Sequence, residues 1–138
     1  MSENLDLVRA IYEAWERGDF SSTEWADVSI EWVTADGPAP GAWRGVAGMR
    51  GASRDWVNAW EDYRVQAYEY RELDAERILV LFRYSGRGKV SGLELGELAM
   101  NGAGVFDVRE AKVTRLVAYW NRERALADLG LTAEDDAN

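Results

Sequence analysis

The stretch "AMNGAGVFDVREAKVTRLVAYW", residues 99–120, decides the fold. Apolar residues alternate on both sides of Glu110-Ala111, which reads as two strands joined by a tight turn. On the first strand Met100, Gly102, Gly104 and Phe106 share one face, and Asn101, Ala103 and Val105 share the other. On the second, Leu116, Ala118 and Trp120 oppose Val117 and Tyr119. The two glycines weaken their strand, since glycine packs no side chain and loses more backbone entropy on folding. They mark a bend, or space kept open on one face.

Upstream, "YRVQAYEYRE" (63–72) and "RILVLFRY" (77–84) read as strands joined by "LDAE". Ile78, Val80, Phe82 and Tyr84 fall on one face of the second, and Leu79, Leu81 and Arg83 on the other. "SGRGKVSG" (85–92) reads as a glycine-rich connection into a long strand over about 93–109. It joins two strands and opens no helix, so it lacks the geometry of a phosphate-binding loop. "VSIEWVT" (28–34) alternates, with Val28, Ile30, Trp32 and Thr34 on one side, and "ADGPAPGAWRG" (35–45) reads as a loop.

Helical spacing governs the rest. Residues 4–17 place Leu5, Val8, Ile11, Tyr12 and Trp15 on one face, with Gly18 as the stop. "DFSSTEWAD" (19–27) reads as a turn and a short helix. Val46 to Trp60 form another helix, in which Gly48 and Gly51 point to close packing. "NRERALADLG" (121–130) forms a closing helix ended by Gly130. Helices segregated from a run of strands give an α+β fold in one domain, residues 1–138, with its core over about 4–130 and an acidic tail at 131–138.

Composition narrows the chemistry. The net charge of −9 opposes binding to nucleic acid and to anionic membranes. No apolar run spans a bilayer and no secretory leader opens the chain, so a cytoplasmic location is expected. There is no cysteine and no histidine. Thiolate nucleophiles, Ser-His-Asp chemistry and the cysteine and histidine metal ligands are therefore absent, and neither a metal nor a cofactor is expected.

The order of "YEAWERGDF", "WRGVAGM", "WEDYRV", "FRYSGRGKVSGLEL" and "GVFDVREAKVTRLVAYWNRERALADLGL" resembles the SnoaL-like branch of the nuclear transport factor two-like superfamily over about residues 5–130. The resemblance implies a cone in which a curved antiparallel sheet wraps three helices around a pocket, usually in a homodimer. It also sets the strand phase: Met100, Gly102, Gly104, Phe106, Leu116 and Trp120 face the pocket. Ketosteroid isomerase, of the same superfamily, uses an aspartate base, a tyrosine and a protonated aspartic acid. Carried over one at a time, the base falls on Trp32, the acid on Gly104 and the tyrosine on about Ile11. Tyr12 lies one residue out of register, a rotation of about 100° on a helix. Limonene epoxide hydrolase relies on a strand-borne Arg-x-Asp, whereas Arg17-Gly18-Asp19 ends a helix here. Both catalytic sets are missing.

These assignments give an aromatic pocket of Trp15, Trp32, Trp56, Phe82, Tyr84, Met100, Gly102, Gly104, Leu116 and Trp120, suited to a small hydrophobic molecule. On this reading Gly104→Asp is accommodated in the pocket. An isomerase- or cyclase-type enzyme would need a buried carboxylate, with Asp36 or Glu97 as candidates and Tyr12 or Tyr84 as donor. A third reading is an interaction module whose aromatics fill the cone. The outer face of the sheet, with Leu79, Leu81, Ala103, Val105, Val117 and Tyr119, is apolar enough to expect burial in a sheet-to-sheet homodimer.

Overall fold

The computed structural model describes residues 3–19, 23–35, 41–58, 60–88 and 100–131, without the side chains of 52, 53, 55–63, 86–88 and 100. Helix α1 (Glu3–Glu16) is followed by strands β1 (Ala26–Thr34) and β2 (Gly41–Arg44), and then by helix α2 (Gly45–Asn58). Strands β3 (Trp60–Glu72), β4 (Arg77–Gly88), β5 (Met100–Arg109) and β6 (Lys112–Tyr119) precede helix α3 (Arg122–Leu129). The six strands form one open sheet in the order β2-β1-β6-β5-β4-β3. The α+β class holds. One pairing departs from an all-antiparallel sheet: β1 runs parallel to β6, so the sheet is mixed.

Local chemistry explains where the elements begin and end. Helix α1 buries Val8, Ile11 and Tyr12 and closes with Gly18 N–H on the Trp15 carbonyl and Asp19 N–H on that of Ala14. Such paired bonds satisfy the carbonyls that a helix end leaves free. Strands β5 and β6 meet at Glu110 and Ala111, whose φ angles are 51° and 64°. Two consecutive left-handed residues match the right-handed twist of the flanking strands, but side-chain-bearing residues adopt that conformation reluctantly. Glu110→Asn with Ala111→Gly is therefore expected to raise stability by about 1 kcal/mol, read as a higher urea midpoint at unchanged slope.

Strand phase is as the alternation implies across β4 and β5. Their register runs without a shift from Arg77↔Asp107 to Tyr84↔Met100. Ile78, Val80 and Phe106 enter an inner core with α1, while Leu79, Leu81, Ala103 and Val105 face outward. Elsewhere bulges change the phase. Between Asp107↔Arg115 and Val108↔Val113 one extra residue, Thr114, bulges from β6. Its hydroxyl donates to the Asp107 carbonyl at 3.3 Å, and Val113 and Leu116 both face inward despite their odd spacing. Tyr68 is the extra residue of β3, between Ala67↔Phe82 and Glu69↔Leu81.

Several expectations are corrected. Val28 does not join the inner face of β1: it is 81% exposed, because the register shifts between Ala26 and Glu31. There the Asp27 carboxylate takes the Ser29 N–H at 2.8 Å, a local turn that competes with the ladder. Part of the proline- and glycine-rich loop is strand β2, paired with β1 so that Trp43 lies opposite Trp32. Trp60 opens β3 rather than closing α2, and β4 runs on through Gly88, beyond the start of the expected connection. Residues 23–25 form a turn where a short helix was expected, while 20–22 and 36–40 lie outside the described residues. Of the two α2 glycines, Gly48 packs against Trp43, whereas a Cβ on Gly51 would meet nothing within 4 Å.

Helix α3 packs on the apolar outer face of β4, β5 and β6. Ala125 and Leu126 join Leu79, Leu81, Ala103, Val105 and Tyr119 in a second buried cluster, flanked by Leu129 and Leu131.

Candidate functional site

The concave face of the sheet is organised in rows that cross the strands. One row is bulky: Ile78, Phe106, Leu116, Trp32 and Trp43 stand side by side in register. The next, one pleat away, is small: Val80, Gly104, Ala118, Thr34 and Gly41. Beyond it Phe82 pairs with Gly102. The small row lies between the bulky row and Phe82. Its inner end is closed, since Val80 and Gly104 are buried. Exposure then rises through half-buried Ala118 and Thr34 to exposed Gly41 on β2. The Trp43 indole lies over Gly41, where a Cβ would meet its Cη2 at 3.1 Å.

The closed end is occupied. A Cβ on Gly104 would lie 3.1 Å from the Tyr12 hydroxyl, 3.3 Å from Phe106 Cε1 and 3.6 Å from Leu116 Cδ1. Tyr12 is only 2% exposed, so the expected register slip on α1 does not turn it away. Helix α1 buries Ile11 and Tyr12 together, because its apolar stripe is wide enough to take two adjacent positions. The space that Gly104 leaves is filled by this hydroxyl, which removes the room expected for Gly104→Asp. Gly102 is tighter still. A Cβ there would approach the Tyr119 carbonyl oxygen to 2.7 Å and the Phe82 ring to 2.8 Å.

Most of the expected pocket aromatics come together. The Tyr12 ring lies 4.9 Å from Trp15, 5.8 Å from Phe82 and 5.8 Å from Phe106, centroid to centroid. Trp15 continues to Trp25 at 6.0 Å. Phe82 continues to Tyr84 at 6.0 Å, and Tyr84 to Trp120 at 5.5 Å. Tyr84 donates its hydroxyl hydrogen to the Trp120 carbonyl at 3.1 Å, so that donor already has an acceptor. Trp32 and Trp15 pack on the inner core, to which Leu116 belongs. Trp56 and Met100 lie on α2 and β5, but their side chains fall outside the described residues, as do Asp36 and Glu97 altogether.

No described polar or charged residue is buried. Asp107 is the described carboxylate whose affinity for its proton is raised, by burial, but it faces outward between Arg77 and Arg115. Among the described residues no group of three or more acidic side chains could hold a metal ion. Tyr70, packed on the same core, has its pKa pushed up to about 12, first by burial and then by Glu16. The unfolded chain would ionise this phenol near 10.0, so between there and about 12 the folded state holds the extra proton. Stability should fall as pH rises through that window, and Tyr70→Phe should make the fall shallower in urea titrations.

The curved mixed sheet, the helix laid across its concave face and the aromatic interior define an α+β cone of the nuclear transport factor two-like type. The profile of the SnoaL-like domain matches residues 8–116, and the chain belongs to that family. No curated protein matches it. Among solved structures it is similar to a protein of unknown function with this fold from Burkholderia pseudomallei, at 20% identity and a TM-score of 0.75, covering 92% of this chain and 97% of that one. It is also similar to TerC co-crystallised with polyporic acid, at 18% identity and a TM-score of 0.72, covering 94% and 98%. A candidate polyketide cyclase of Xanthomonas campestris matches at 22% identity and a TM-score of 0.67, covering 90% and 94%. No described helix is long and apolar enough to cross a membrane.

Sequence reasoning missed Thr34, Gly41 and Trp43 as parts of this surface. The visible signal was Trp43 two residues after Gly41, but the surrounding prolines and glycines hid a four-residue strand.

Proposed function

We propose that this SnoaL-like chain binds a small, neutral, largely apolar molecule in the trough of Val80, Gly104, Ala118, Thr34 and Gly41. The observation that carries the reading is the gradient along that row, from a buried closed end to an exposed mouth between aromatic flanks. A flat molecule entering at β2 would lie against Trp32 and Trp43 and point toward the Tyr12 hydroxyl. Aromatic walls supply area and ring contacts. The absence of buried charge among the described residues favours a neutral guest, because an ion would lose its hydration without a partner. The similarity to TerC, co-crystallised with polyporic acid, and to a candidate polyketide cyclase supports a ring-containing guest.

Tryptophan fluorescence and thermal shift, read across steroids, polyketide-like aromatics, terpenoids and polyporic acid, test this. At least one should give a saturable change, lost in Ala118→Phe, which fills the trough midway. A flat response across the panel would sink the reading.

A further inference from the structure

The exposed end of the small row carries an arrangement that the fold does not call for. Gly41 is exposed on the edge strand β2, and its φ is not positive, so its backbone would accept an alanine. What excludes a side chain there is Trp43, two residues on and on the same face. A Cβ on Gly41 would meet Trp43 Cη2 at 3.1 Å, and the ring atoms on either side of it, Cζ2 and Cζ3, at 3.5 and 3.6 Å. Three neighbouring ring atoms at such similar distances mean that the benzo ring turns its face, not its edge, to Gly41. The indole therefore lies flat on the strand, where strand side chains ordinarily stand up from the sheet. Its stem is held from another side. A Cβ on Gly48, in the first turn of α2, would lie 3.3 Å from Trp43 Cβ and 3.8 Å from its carbonyl carbon. Two glycines on two elements fit around this one tryptophan. Trp43 is half-buried, so the ring is covered on the Gly41 side and reachable on the other.

We propose that the Trp43 indole is an aromatic shelf that makes the small-row site selective for planar, unsaturated ring systems, with Trp43 as its specificity-determining residue. The inference rests on the ligand reading above and narrows it. An indole that lies flat offers its π-face, and a second flat ring can stack on that face, offset and parallel. From Gly41 the small row runs inward through Thr34, Ala118 and Gly104, none with a side chain larger than threonine's. A flat guest stacked on the indole would extend over these residues, with Trp32 of β1 beside it. A saturated, thick guest has methyl groups standing off its ring plane. It would touch the shelf at a few points and gain little from it, because dispersion contacts are individually tiny and count only in number. Trp32 packs on the inner core, so removing it would disturb the fold as well as the site. Trp43 sits on the edge strand, where the ring can be changed with the core in place.

Two probes separate flat from thick guests in calorimetric titrations: alizarin, a planar anthraquinone, and progesterone, a steroid with methyl groups off its ring plane. The unaltered chain should bind alizarin at least about tenfold tighter than progesterone. Trp43→Ala should weaken alizarin by about tenfold and leave progesterone within a factor of about two, the loss expected for one stacked ring. Gly41→Ala keeps every aromatic and adds only a methyl, yet by lifting the indole it should give part of the same loss. Where Trp43→Ala loses the sheet signal in circular dichroism, Gly41→Ala carries the test. A merely structural role for Trp43 would weaken both probes alike. That result, or an alizarin affinity that neither variant changes, overturns the shelf, while the trough reading stands if Ala118→Phe still abolishes binding. Alizarin that fails to bind the unaltered chain overturns the shelf whichever other guest binds. Only a flat response to the whole panel sinks the trough reading with it.

Discussion

Gly102→Ala should lower stability by about 3 kcal/mol, the upper end for forcing an extra methyl into a packed interior. The severity comes from what the new Cβ would meet. The nearest atom, at 2.7 Å, is the Tyr119 backbone carbonyl of the neighbouring strand, and the next two belong to the Phe82 ring, at 2.8 and 2.9 Å. A carbonyl held in a sheet cannot step aside, so β5 and β6 would have to separate locally. Gly104→Ala is the control two residues away. Its first contacts, at 3.1 to 3.6 Å, are the ends of the Tyr12, Phe106 and Leu116 side chains, which can shift by a few tenths of an ångström. A loss of about 1 kcal/mol is expected there. Urea denaturation of both variants decides the matter. Equal losses would mean that the two glycines serve one common purpose, such as strand curvature, rather than two different close approaches.

Phe106→Ala should cost about 4 kcal/mol, as truncating a buried aromatic removes its transfer energy and leaves a cavity. Phe106 has no solvent exposure, and its ring touches Tyr12 at 5.8 Å and Trp15 at 6.5 Å. The void would be walled by aromatic and aliphatic groups, and apolar cavities of this kind stay dry and accept benzene-sized guests. Indole or benzene should therefore raise the melting temperature of Phe106→Ala while leaving that of the parent unchanged. A loss below about 1 kcal/mol would mean that the surrounding rings collapse into the gap, contrary to a core close-packed around Phe106.

How much of this was legible in the sequence varied with the physics of each segment. Ile78 to Phe82 is an unbroken apolar run, so β4 could be read as a strand, while its two faces were assigned with the help of the family resemblance. The tight turn at Glu110-Ala111 was equally clear, because apolar alternation stops on one side and resumes on the other. Thr114 was invisible as a bulge, since one extra residue looks like any other member of an alternating run until its partner strand is known. Val28 failed for the same reason. Strand β2 was masked by its setting, and with it the exposed end of the small row. The position of the Tyr12 hydroxyl depends on the rotation of α1 over the sheet, which periodicity fixes only to within its apolar stripe. The apolar outer face was read correctly as needing cover, but sequence distance gave no hint that α3 packs on it.

The charged row Arg77–Asp107–Arg115–Glu31–Arg44 adds little to stability. Its pair between Arg115 and Glu31, at 3.2 Å, is solvent-exposed, and such pairs are individually weak. What it supplies is addressing. Each strand brings one charge to the row, and each charge finds its opposite only when every strand is in step. A slip of one residue in any of them would turn that charge toward the aromatic interior. Five neighbouring strands, joined by three antiparallel pairings and one parallel one, are thereby held to a single alignment, and the small row beneath them stays continuous from Val80 to Gly41.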